Sequence, residues 1–367
     1  MKKSKLILLV AVAICFALII SACTSESTEP AIQQVDETTP APIEEESAPP
    51  EVEEEEEEDI EEEEEYIPHF PVEIVTFNFE GDEIVTIYES APERVLAVYQ
   101  GSIETMIALG LEHHVIAAFG LDNELRPEWL PALEIMNYDD SVFAPERETV
   151  IMLAPDMIFS WGSIFGTRLG DVYYWIETGT NTYINTNTRR GGHPRTVENE
   201  FTDLLNIGRI FNVEYRAQII VDEMQAEIDA ALALAAGMDT QRVVVIEFRG
   251  DGTIANYPPS QLAGNMVERL GGELAITDVT TIGYEDLLAV DPDVIFVIYM
   301  ERVGAHDDTG VDDVVQTVLD NPALGSLSAV QNGRVHSVQL GEVFASAVRT
   351  LDGIRSFAHG MYPELAY

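Results

Sequence analysis

Two stretches 137 residues apart carry nearly the same text. Residues 148–159 read ETVIMLAPDMIF and residues 285–296 read EDLLAVDPDVIF, so each has a Glu, an apolar run, Pro-Asp seven residues after the Glu, and then Ile-Phe. The Pro must end whatever helix precedes it, because it lacks an N–H and bars the residue before it from helical backbone angles. The compact apolar run that follows is the signature of a buried parallel strand. A separation this long exceeds any solenoid period. It predicts two similar α/β lobes in one chain, each carrying an exposed Glu at an equivalent place, Glu148 and Glu285.

The N-terminus says where such lobes would work. Lys2, Lys3 and Lys5 precede an unbroken apolar run over residues 6–20, which closes on Ser21-Ala22-Cys23. A charged head, an apolar stretch and a small-residue close form a secretory signal, and the stretch is only about as long as the roughly 17 residues that barely span a bilayer. Residues 20–23 also resemble the lipobox of bacterial lipoproteins, which implies cleavage before Cys23 and lipid on its thiol. The one other cysteine, Cys15, lies in the discarded segment, so the mature chain has no internal disulfide, no thiolate metal site and no catalytic thiol.

Residues 24–65 hold 20 Asp or Glu, several Pro and no cation. Such a segment buries too little apolar surface to offset its ordering entropy. As a flexible coil it would span about 35 Å, a tether between membrane and folded domain; a cation-binding acidic tail is the alternative. Beyond it, 46 acids face 16 arginines and no lysine. A net charge of −30 excludes nucleic acid as a partner. The absence of Lys fits a compositional habit of the source, and it makes any cluster of Arg worth explaining.

Alternating apolar patterns over residues 74–79 and 83–88 around Gly81 predict a hairpin. Strands are expected at residues 94–98, 115–118, 157–160, 182–186, 242–248 and 334–338. Helices are expected at 102–110 with Ser102 as cap, 164–176, 196–211, 213–236, 260–270, 311–319 and 346–362. The 213–236 segment places Ile219, Ile220, Met224, Ile228 and Leu232 at helical spacing and reads as the connector between lobes. Strands alternating with helices mean a mainly parallel sheet in each lobe, and a single helical connector should permit only limited hinge closure.

From residue 70 onward the chain resembles the substrate-binding lipoproteins of ABC importers, in the branch that carries ferric siderophores, haem and cobalamin. The landmarks are Pro92-Glu93-Arg94-Val95 after the hairpin, residues 105–110, Leu153-Ala154-Pro155-Asp156, residues 199–208, Gly271-Gly272, residues 285–293, residues 329–335 and residues 352–363. Their order and spacing carry the resemblance more than any one of them. It implies an α/β protein of the helical-linker class of periplasmic binding proteins: two lobes joined by one long helix. The division is a signal peptide at 1–22, lipidated Cys23 and acidic tether to 69, an N-lobe at 70–211, the linker at 212–238 and a C-lobe at 239–367. It further implies a monomer anchored on the outer face of the cell membrane by lipid on Cys23, not an enzyme and without a cofactor. Its ligand would be a ferric siderophore chelate, with haem or cobalamin as alternatives, and its partners an ABC permease with its ATPase. In that family one acid from each lobe meets permease arginines, and the matching positions are Glu148 and Glu285, with Glu146 a neighbour of the first.

Ligands of parallel α/β sheets bind beyond the carboxyl ends of the strands. Those ends bring forward Tyr99, Gln100, Trp161, Ser163, Arg189, Arg190, His193, Phe248, Arg249, Tyr257 and Tyr299. Arg binds carboxylate or catecholate oxygens in a forked geometry, and aromatic rings stack on planar ligand parts. Each Arg has surface ion pairing as its plain explanation, and each aromatic has core capping. His193 and Tyr99 could alternatively ligate haem iron. Catalysis lacks its motifs: Trp161 and Phe165 stand where a nucleophile elbow around Ser163 needs glycines, and His113-His114 has no zinc-hydrolase frame. The dispersed histidines likewise disfavour a bare-metal receptor.

Overall fold

The computed structural model describes residues 69–300 and 311–365; the expected signal peptide, Cys23 and the expected acidic tether to residue 68, together with His306, lie outside the described residues. The described residues belong to one compact unit that holds both expected lobes. The N-lobe opens with the antiparallel hairpin β1 (Val72–Phe77) and β2 (Glu83–Tyr88). A parallel sheet follows, made of β3 (Val95–Val98), β4 (Val115–Phe119), β5 (Met157–Ser160) and β6 (Asn181–Ile184). The C-lobe sheet contains β7 (Arg242–Phe248), β8 (Ile254–Asn256), β9 (Glu273–Leu274), β10 (Thr281–Ile282), β11 (Val294–Tyr299) and β12 (Val335–Gln339). There β7, β11 and β12 run parallel, while β8 pairs antiparallel with β7 and β10 antiparallel with β8. Those two short strands carry too few residues for a period-2 pattern, which is why the sequence does not announce them.

The sequence repeat is a structural repeat down to its hydrogen bonds. In each copy a seven-residue helix, Arg147–Leu153 or Tyr284–Val290, ends on a left-handed residue, Ala154 at φ 47° or Asp291 at φ 42°. The Asp after the Pro then turns back to the neighbouring strand. Asp156 accepts from the backbone N–H groups of Glu93 and Arg94 at 2.8 and 2.9 Å, and Asp293 accepts from that of Arg242 at 2.8 Å. The same arginines close the loop: Arg94 donates to the carbonyls of Leu153 and Ala154, and Arg242 to that of Val290. Helix ends leave carbonyls without partners, and here a guanidinium from the next strand supplies the donors in both lobes.

The last helix of the N-lobe, Val197–Ile210, is capped by the Thr196 hydroxyl, which accepts from the Asn199 N–H, and leads into the connector Glu214–Ala235. The connector buries Ala217, Val221, Met224, Ile228 and Ala231, a four-three-four-three spacing, whereas Ile219 and Leu232 are 50% and 39% exposed. Met224 and Ile228 hold the expected face, while the small Ala217 and Ala231 take the places of Ile219 and Leu232 and allow closer packing against Val197–Ile210 and the last helix, Thr350–Met361. Two further expectations are corrected. Ser102 does not cap the first helix, Gln100–Ala108; it lies inside it and donates to Asn185 Oδ1, while Tyr99 occupies the cap position. Residues 164–176 are not one helix, because Gly166 and Gly170 adopt φ near +80° and bridge to each other, leaving a short turn and then Val172–Glu177.

Asp156→Ala leaves two strand-edge N–H groups without their acceptor, so it should cost about 1–3 kcal/mol. Glu148→Ala, on the exposed face of the adjoining helix, should stay within about 0.5 kcal/mol. Urea denaturation of the three proteins checks the contrast.

Candidate ligand-binding cleft

Strand order in the N-lobe is β4-β3-β5-β6, so the chain leaves β3 to one side and returns to the other. The crevice where the winding reverses is the favoured ligand position of such sheets. Tyr99 follows β3 and Trp161 follows β5, and their rings stand there 4.7 Å apart at 35°. Phe143 extends the row on the far side of Tyr99 at 5.1 Å. Tyr99 is held at φ 75°, a conformation costly for a bulky side chain. It survives because its N–H donates to the Phe119 carbonyl and its carbonyl accepts from Ile103 N–H at the start of the helix.

Facing this row across the lobe boundary are Met300, which follows β11, and the segment from Leu340 to Ser346. The cleft between them holds about 440 Å³ of unfilled space, open solvent at its mouth included, with room for water centres in about 50 Å³, and its N-lobe side is completed by Gln100, Gly101, Asp122 and Asn123. The lobes come so close that a Cβ on Gly341 would stand 2.2 Å from Asn123 Oδ1, and one on Gly101 would stand 3.1 Å from the Ala345 carbonyl. Phe344 is the principal C-lobe ring, 5.9 Å from Trp161. On it lies the Arg195 guanidinium, 3.9 Å from the ring centroid. Burial pulls the Arg195 pKa below its ordinary value. The Trp161 indole N–H and Arg195 Nη1 are both buried and find no acceptor among the described residues. Native structures rarely leave buried donors unpaired without a reason.

The expected site residues divide. Tyr99, Gln100 and Trp161 come together at the cleft, and Ser163 sits beside them with its hydroxyl 3.5 Å from Tyr99 Oη. Arg189 and Arg190 instead lie over Phe77 and Phe79 of the hairpin at 4.7 and 4.4 Å, and His193 is exposed on the loop after them. In the C-lobe, Tyr257 donates to Glu247 at 2.8 Å, Arg249 approaches the same carboxylate at 3.9 Å, and half-buried Phe248 packs on the C-lobe core. Tyr299 ends β11 next to Met300. Arg195 and Phe344 were not singled out by sequence reasoning. The available signal was weak: Arg195 is one of three arginines within seven residues of an acidic chain, and the two chosen were the pair standing together.

Beneath the cleft lies a buried polar network. Arg349, 7% exposed, donates Nε to both oxygens of Glu104, which is fully buried. Glu104 also accepts from Gln100 Nε2 at 2.6 Å, and Gln100 Oε1 accepts from the N–H groups of Asp122 and Asn123. Nearby, burial and then the neighbouring Glu200 push the Asp203 carboxyl up to about 7, and burial followed by Asp352 does the same for Glu342.

Residues 95–339 match the periplasmic binding protein family. The chain belongs to that family. Among curated proteins it is 26% identical over 276 residues to the petrobactin-binding protein YclQ of Bacillus subtilis, covering 72% of this chain and 80% of that one. It is 23% identical over 261 residues to the ferric-anguibactin-binding protein FatB of Vibrio anguillarum, covering 68% and 76%. Among solved structures, a periplasmic binding protein from Veillonella parvula superposes with a TM-score of 0.74 at 32% identity, over 80% of this chain and 92% of that one. Members of the family are substrate-binding components of transport systems rather than enzymes and act outside the cytoplasm. Among the described residues no helix of this periplasmic binding protein is long and apolar enough to cross a membrane.

Asp203 and Glu342 have folded-state values raised above their ordinary ones. Their contribution to stability is thus fully present below about pH 4 and is lost as pH rises through about 7. His336, whose pKa burial lowers, acts in the opposite sense below about pH 6.5. Thermal melts should therefore show a falling midpoint from pH 6.5 to 8.5, with a shallower slope in Glu342→Gln.

Proposed function

We propose that this periplasmic binding protein is a receptor for a ferric siderophore, held on the outer face of the cell membrane by lipid on Cys23, and that it delivers its cargo to an ABC import permease. The observation that carries the ligand class is the pair of donors without acceptors among the described residues, Trp161 Nε1 and Arg195 Nη1, both next to Phe344 of the cleft. A chelate bearing catecholate or carboxylate oxygens supplies acceptors for both, and charge-assisted bonds to Arg are the stronger kind. Its planar parts suit the Tyr99–Trp161 pair and Phe344. The names of the YclQ and FatB relatives support the same ligand class. Titration of the purified protein with ferric catecholate, ferric hydroxamate, haem and cobalamin should quench Trp fluorescence at submicromolar ferric chelate. Arg195→Ala should weaken that binding tenfold or more without lowering the melting temperature. Response to haem or cobalamin alone would replace the siderophore reading, and indifference to the whole panel would reject it.

Docking rests on Glu148 and Glu285. Both are exposed in the first turns of the repeated helices, and neither joins an ion pair among the described residues, whereas the neighbouring Glu146 is taken by Arg168 at 2.8 Å. Three residues after each lies an exposed aliphatic side chain, Ile151 at 48% and Leu288 at 41%. An acid beside an apolar knob, presented once per lobe, suits two like subunits of a permease: the charges steer and set register, and the aliphatic contacts add burial. Glu148→Ala combined with Glu285→Ala should abolish uptake in cells while ligand affinity is unchanged. Unaltered uptake would remove these residues from the docking face.

A further inference from the structure

The C-lobe side of the cleft depends on residues 344–349, whose backbone is held by acids of the N-lobe. Glu200, in the helix Val197–Ile210 and 1% exposed, accepts from the Ala347 N–H at 2.6 Å and from the Ser346 N–H at 3.3 Å. Ala347 sits at φ 47°, a left-handed conformation that a residue with a Cβ rarely takes unless its surroundings impose it. The Ser346 hydroxyl in turn accepts from the Phe344 N–H at 3.1 Å. Two residues further on, Arg349 is clamped by Glu104. Glu200 is itself fixed on its own side by the Asn187 amide, which donates to it at 2.6 Å. A carboxylate of one lobe therefore enforces a strained turn in the other, and that turn aims the Phe344 ring at Trp161 and Arg195.

We propose that Glu200 is a positioning residue for ligand binding: by holding the Ser346 and Ala347 N–H groups it places Phe344 in the cleft and couples the aromatic wall to the placement of the two lobes. It touches no ligand, and its effect passes through the backbone. Loss of the charge leaves Gln with a weaker acceptor and an amide NH2 that meets backbone donors, so the turn relaxes and the ring is released. This rests on the cleft being the ligand site, but the state of the turn can be read without any ligand.

The test uses the full chain with Glu200→Gln and, as the milder variant, Glu200→Asp. Hydrogen exchange of the peptide spanning residues 344–349 should quicken at least tenfold in Glu200→Gln and less in Glu200→Asp. Affinity for iron(III) 2,3-dihydroxybenzoate should fall about tenfold in the first and recover part of that in the second. Unchanged exchange in both variants overturns the proposal, as does faster exchange with undiminished affinity. If wild-type protein ignores this probe, the catecholate class alone is removed from the ligand reading and the affinity comparison falls away. Acrylamide quenching of the Trp161 emission, isolated by subtracting Trp161→Phe, then decides: greater quenching in Glu200→Gln upholds the positioning role, and equal quenching overturns it.

Discussion

The buried pair of Glu104 and Arg349 sits at the junction on which the cleft is built. Taking two charges out of water costs several kcal/mol each unless geometry and further hydrogen bonds compensate. Here the compensation is thorough: the carboxylate receives the guanidinium on both oxygens and the Gln100 amide besides, while the guanidinium also donates to the Glu124 carbonyl and to Gln339. Because Glu104 belongs to the helix that Tyr99 begins, and Arg349 follows the loop that ends the opposite wall, one ion pair fixes both sides of the cleft. Hydrophobic residues of equal volume could bind the lobes as strongly, but they would not specify direction. The forked geometry permits one arrangement of that helix against that loop.

The cleft concentrates strain in the same place. Tyr99 and Ala347 both lie at positive φ, one on each wall, and both are held by hydrogen bonds rather than by being glycine. Unfavourable backbone at a site is stable only where the surroundings over-determine it. The surroundings here are the parallel sheet on one side and buried acids on the other. The consequence is a pocket whose rings are placed before a ligand arrives, which reduces the ordering cost of binding. The narrow approach at Gly341 and Asn123 means that a chelate larger than the space enclosed must part the lobes somewhat. The stiff connector then limits how far they separate.

What the sequence disclosed and what it hid follow from interaction range. The repeat, the strands of the parallel sheets and the connector were legible because periodicity and Pro-Asp punctuation are local. The clasps of Arg94 and Arg242 were not, since nothing within a window of ten residues says that a strand's first residue will serve a helix end about 50 or 60 residues away. Ser102 misled for a related reason: a Ser before an apolar stretch normally caps, yet here its hydroxyl is used by Asn185, 83 residues distant. Arg189 and Arg190 drew attention as a basic pair, but they serve the hairpin rings, and Arg195 reaches the cleft because its N–H is tied to the Ser260 carbonyl of the other lobe. Glu104 and Glu200 looked like ordinary helix acids; only the fold brings Arg349 and Ala347 to them.

The use of Arg in place of Lys after residue 5 gains meaning from these contacts. Five arginines lie over aromatic rings: Arg126 on Trp129, Arg147 on Tyr174, Arg189 on Phe77, Arg190 on Phe79 and Arg195 on Phe344. Others, Arg94, Arg242 and Arg334, bind carbonyl oxygens near the ends of helices. A planar guanidinium can stack and donate in two directions at once, whereas a strongly hydrated ammonium cannot. In a domain so rich in acid, a lysine would be drawn to any of many carboxylates with little preference. The fork and the flat face of Arg instead select particular partners, so that few cations suffice to fix the turns, the hairpin and the cleft.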